Sequence, residues 1–88
     1  MIEPIREPLA IGSVIRNRNN HDYIVIANDG RYSLLYGDNT YMVAFEMCIT
    51  PGGYTWMHGT YFGSDFIAAV DHYKERIKMR KDDENETI

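Results

Sequence analysis

From Tyr41 to Thr50 the chain alternates in two phases, with Val43, Phe45, Met47 and Ile49 in one and Met42, Ala44, Glu46 and Cys48 in the other. A period of two predicts a strand whose one face meets a core. Pro51-Gly52-Gly53 then supplies turn chemistry before a second, aromatic run from Tyr54 to Phe62. Upstream, Gly12 to Arg18 predicts a first strand, and Asn17 to Asn20 a turn, since Asn tolerates positive φ. His21 to Asn28 predicts a second strand. Its Tyr-Ile-Val-Ile centre is apolar in both phases, so it is expected to be covered on both faces. Asn28-Asp29-Gly30 is a hairpin signal. Arg31 to Tyr36 follows as a third strand, with Tyr32, Leu34 and Tyr36 on one face, and Gly37 to Thr40 turns into the Tyr41 strand. Four short connections between five strands imply an antiparallel meander, because parallel pairs need long crossovers. Gly59 and Gly63 mark a bend or bulge.

Past Gly63 the period changes. Phe66, Ala69, Val70, Tyr73 and Ile77 recur at steps of three and four, one apolar stripe of a helix. Ser64 is the expected N-cap, with Asp65 beside the positive end of the helix dipole. From Asp82 the chain carries no apolar residue before Ile88, so the helix is expected to end there. The fold class is therefore α+β: a curved antiparallel sheet of about five strands, with one C-terminal amphipathic helix packed on it. The domain spans 1–81 and includes an extended, Pro-spaced N-terminal arm, 1–12. A flexible acidic tail, 82–88, follows.

Eighty-eight residues make one domain with a modest core. The thin core and the arm leave a homodimer open. A hydrophobic fraction of 44% with 25% charged residues is that of a globular chain rather than a disordered one. The single cysteine, Cys48, excludes an intrachain disulfide and a thiolate metal cage. With no signal-peptide pattern at the N-terminus and no apolar run of membrane-spanning length, a cytoplasmic location without membrane contact is the expectation. The net charge of −4 is uneven: residues 74–81 carry +4 and residues 82–88 carry −4. A net charge this small is not the field of a generic nucleic-acid binder.

Candidate chemistry is sparse. His21, His58 and His72 fall in no zinc spacing and read as scattered structural or surface residues. Cys48 has no sequence-level partner that would make it a nucleophile. No serine stands in a nucleophile elbow, and Pro51-Gly52-Gly53 is not a phosphate loop. No catalytic residue, metal site or cofactor is expected, and an enzyme is the least favoured class. Aromatic density is the unusual feature, with seven Tyr, one Trp and three Phe. Most should cover the core, with a few left exposed, because one helix cannot cover five strands. Exposed Tyr and Trp favour protein interfaces. Asp38, Tyr41, Glu46, Tyr54 and Trp56 form the expected protein-binding surface.

Tyr41-Met-Val-Ala, followed by Gly59-Thr-Tyr-Phe-Gly-Ser-Asp-Phe-Ile-Ala-Ala-Val-Asp-His-Tyr, resembles segments of small accessory proteins of bacterial phages and mobile elements. The likeness covers a Tyr-x-Val-Ala strand, a Gly-x-Tyr-Phe strand end and a helix with Ala and Tyr on its packing face. It implies a small, cytoplasmic, non-enzymatic protein directed at a host protein, such as an inhibitor of a defence effector of the anti-CRISPR type. It implies no particular binding residue. The expected function is thus a protein-interaction module that binds and inhibits or modulates a host protein. One alternative is a nucleic-acid-binding accessory protein, with Lys74, Arg76, Lys78, Arg80 and Lys81 on phosphates and sheet aromatics on bases. Another is a small-molecule binder, with its ligand between helix and sheet.

Overall fold

A computed structural model of the chain describes backbone and side chains for residues 9–29 and 31–79, and backbone alone for residues 3–4 and 80–86. The elements are β1 (Glu3–Pro4), β2 (Val14–Arg16), β3 (Asp22–Asp29), β4 (Tyr32–Gly37), β5 (Thr40–Thr50), β6 (Gly53–Gly63) and α1 (Phe66–Glu86). Strands β2 to β6 form the expected antiparallel meander. The Asp38-Asn39 turn between β4 and β5 has both residues at positive φ (53° and 60°). That matches the right-handed twist of a two-residue hairpin. The short β1 pairs with β5 at Ile49 and Cys48, tethering part of the N-terminal arm. Leu9 packs on the chain's own core, and Ile5 lies outside the described residues.

The meander curls into a half-barrel, bringing the start of β6 back to the end of β2. Asn17 bridges Tyr54 in parallel, and the Arg18 N–H donates to the Tyr54 carbonyl at 3.1 Å. Gly53 permits this approach. Its φ is 131°, and a Cβ there would lie 2.8 Å from the Arg16 carbonyl oxygen and 2.9 Å from that of Asn17.

Two cores follow from the two faces of the sheet. The concave face buries Ile15, Tyr23, Val25, Leu35, Met42, Ala44 and Met47. The convex face receives α1, with Ala69 and Tyr73 against Leu34 and Val43, flanked by Val70 and Ile77. In β4 the alternation holds, and Tyr32, Leu34 and Tyr36 share the convex face, as their cross-strand partners Phe45, Val43 and Tyr41 do.

In β5 the alternation breaks. Val43 packs under the helix, but Met47 lies in the concave core with Met42 and Ala44. The cause is Glu46, held at φ 56° with its N–H donated to the Arg31 carbonyl at 2.8 Å. One residue in the left-handed region resets which way its successors point. The expected common face of Val43, Phe45, Met47 and Ile49 is therefore wrong beyond Phe45. A bulge between Val25 and Ala27 does the same in β3, sending Ile26 and Ala27 to the helix side after Val25. β3 is also not covered throughout: Ile24 is 45% exposed, beside Val14 at 62%.

The helix cap is Asp65, not Ser64. Its Oδ1 accepts from the Ala68 N–H at 3.0 Å, the N-cap to N3 bond. The helix backbone runs to Glu86, past the expected end at Asp82.

Candidate functional site

The seam where β2 meets β6 opens into a cleft of about 320 Å³, lined by Asn17, Arg18, Asn19, Tyr54, Thr55, Trp56 and Tyr61. Its β2 side is set by Asn17. The buried Asn17 side chain accepts, through Oδ1, from the backbone N–H groups of Asn19 and His21, both at 2.9 Å. This Asx turn fixes the loop and leaves the Arg18 and Asn19 side chains exposed. The β6 side is aromatic. Trp56 meets the buried Tyr23 ring edge-on, with centroids 5.5 Å apart and planes at 86°. Its indole also rests over Gly59, where a Cβ would sit 3.0 Å from Trp56 Nε1 and 3.0 Å from Met42 Cε. The glycine and Tyr23 together hold the indole in one place.

Beyond Tyr54, no described strand pairs with the outer edge of β6. This edge strand is eleven residues long and carries no Lys, Arg, Asp, Glu or Pro. Met57 is 77% exposed and Tyr61 59% exposed along it. Natural proteins usually blunt such edges with charge, proline or a bulge; here a bulge stands only at the far end of β6, where Phe62 is the extra residue between Tyr61 and Gly63.

A second cavity, about 250 Å³, lies on the convex side between α1 and the sheet. Register explains its lining: His58 pairs with Phe45 and Phe45 with Tyr32, while Thr60 pairs with Val43 in the next row. From the helix come His72 and Arg76, one turn apart. The Arg76 Nε–H reaches His72 Nε2 at 3.5 Å. Burial, then the Arg76 charge, hold the His72 imidazole below its ordinary range. His58 and His72 are thus not scattered, as the sequence suggested; the fold brings them to one cavity.

Of the expected protein-binding residues, Tyr54 and Trp56 share the cleft. Tyr41 does not. It is half-buried on the convex face, 4.5 Å from the Tyr36 ring and 5.1 Å from Phe66. Tyr41 pairs with Gly63 and Ile49 with Tyr54, so the two ends of the ribbon lie roughly 27 Å apart along the strand. Asp38 is exposed at the Tyr41 end, and Glu46 sits mid-strand, 3.7 Å from Arg31 Nε. The five do not make one surface. Sequence reasoning missed Arg18, Asn19 and Tyr61 as cleft residues; the Asn-rich turn was the signal for the first two and the aromatic run of β6 for Tyr61.

The basic helix end is divided as well. Arg76 joins His72 at the cavity, whereas helical spacing puts Lys74 and Lys78 on the opposite flank, both exposed. The side chains of Arg80 and Lys81 lie outside the described residues. The cleft aromatics face the concave side, so phosphate-binding and base-stacking groups do not share one face. Among the described residues, no three His, Cys, Asp or Glu side chains gather as a metal set, and no helix is long and apolar enough to cross a membrane. Comparison with protein-family models, curated proteins and solved structures finds no match to this chain.

Proposed function

We propose that this protein is a protein-interaction module that captures an extended segment of a partner along the outer edge of β6. The observation that carries this reading is the long, uncharged, proline-free β6 edge running beside the aromatic cleft. Strand addition would supply main-chain hydrogen bonds. Tyr54, Trp56 and Tyr61 would take side chains of the incoming strand, with Arg18 favouring an acidic one. In the setting implied by the resemblance to phage and mobile-element accessory proteins, the partner is a larger host protein that such docking blocks or modulates.

Trp56 is the sole tryptophan, so its fluorescence reports on the cleft directly. Peptides selected from a displayed random library are expected to shift that fluorescence saturably. Met57→Lys and Tyr61→Lys, at exposed positions, are expected to weaken them about tenfold or more without changing stability. Selection of no peptide, or of peptides indifferent to both changes, would remove the edge-capture reading.

A further inference from the structure

We propose that the convex cavity under α1 is a binding site for a small anion carried on one planar apolar ring, an aryl phosphate or aryl carboxylate. Its floor is aromatic: the Tyr32 and Phe45 rings lie 4.9 Å apart, tilted by 42°, with the buried Val43 beside them. Its rim is formed by His58 and Thr60 from β6 and by His72 and Arg76 from α1. Every polar side chain of that rim can donate a hydrogen bond to an anion, and Arg76 presents a permanently charged fork. Among the described residues, no carboxylate lines the cavity. Arg16 pairs with Asp22 and Arg31 with Glu46, and neither pair engages Arg76.

Size sets the ligand class. About 250 Å³ falls just below the roughly 300–1,000 Å³ of pockets for drug-sized molecules, which suits a single ring and one anionic group. The ring would lie on Tyr32 and Phe45, and the anion would sit between Arg76 and the histidines. An anion there also offsets the cost of charging His72, whose proton affinity burial and Arg76 lower. The site shares strand β6 through His58 and Thr60 but none of the cleft side chains Tyr54, Trp56 and Tyr61, so its ligand is tested separately from the partner-capture reading.

The test is an NMR titration of the His58 and His72 imidazoles of the full chain with three probes: phenyl phosphate, inorganic phosphate and benzyl alcohol. Phenyl phosphate is expected to shift both histidines saturably and to bind at least about tenfold more tightly than either other probe. Arg76→Ala, at an exposed position, should weaken phenyl phosphate about tenfold while leaving the spectrum of the sheet unchanged, and Arg76→Lys should recover part of the loss. Three results would each overturn the site. These are no saturable shift at millimolar phenyl phosphate, benzyl alcohol binding as tightly as phenyl phosphate, or phenyl phosphate binding untouched by Arg76→Ala.

Discussion

At the scale of single residues, the seam rests on Asn17 and Gly53. Asn17 is buried and accepts two backbone N–H bonds, so Asn17→Ala leaves two donors in need of a partner. A loss of about 1–3 kcal/mol is expected in urea denaturation, with Asn17→Asp losing much less because its carboxylate keeps the acceptor. Gly53→Ala meets both a disfavoured φ and two carbonyl oxygens under 3 Å away. It should cost more than about 1 kcal/mol. It should also speed hydrogen exchange at the Arg18 N–H, which donates across the seam, more than at amides of β4. The Arg16–Asp22 pair beside the turn is close at 2.8 Å and holds the Asp22 carboxyl below its usual range. Both side chains are more than half exposed, and the pair contributes little to the seam.

At the scale of elements, α1 is held by its cap and by the stripe under it. Asp65→Ala removes the side-chain acceptor for the Ala68 N–H and should lower stability by about 1 kcal/mol, with Asp65→Asn nearly restoring it. The contact of α1 with the sheet also carries a pH dependence. His72 is pushed below its ordinary pKa, first by burial, then by Arg76. As pH falls, the unfolded chain therefore takes up this proton before the folded one. Stability should be level above the unfolded value of about 6.5 and decline below it, until the folded imidazole protonates in turn. His72→Gln should flatten that part of the profile, as read from denaturation midpoints at about pH 7.5 and about pH 5.5.

Element type was legible in the sequence because period survives local detail. The Ala69–Ile77 part of the helix stripe and the Tyr32–Leu34–Tyr36 alternation both read through to packing, whereas Phe66 is 44% exposed. Facing was legible only while the backbone stayed extended. Glu46 occupies a conformation with no glycine or asparagine to announce it, and simple alternation puts everything past it in β5 on the wrong side. The sites were least legible. His58, His72 and Tyr32 meet through a register and a helix placement that no spacing encodes, whereas Tyr54 and Trp56 were found because two positions apart on a strand is a local relation.

At the scale of the whole molecule, the described strands leave open edges of very different length, with the two-residue β1 at one corner of the sheet. On one side stands β2 with three residues, on the other β6 with eleven. A chain with two matched open edges can add copies head to tail without limit, because each addition presents the same edge again. Here the short edge is a poor template for the long one. The best mate for β6 is another β6 across a two-fold axis, and that union consumes both long edges at once. Growth by strand addition would therefore terminate at a pair. Sedimentation velocity at rising concentration should show monomer and at most dimer, with no ladder of higher species, and Met57→Lys should shift that balance toward monomer. On that outcome the sheet's asymmetry would act as a stop on polymerisation, sparing an uncharged eleven-residue edge the fate of a fibril seed.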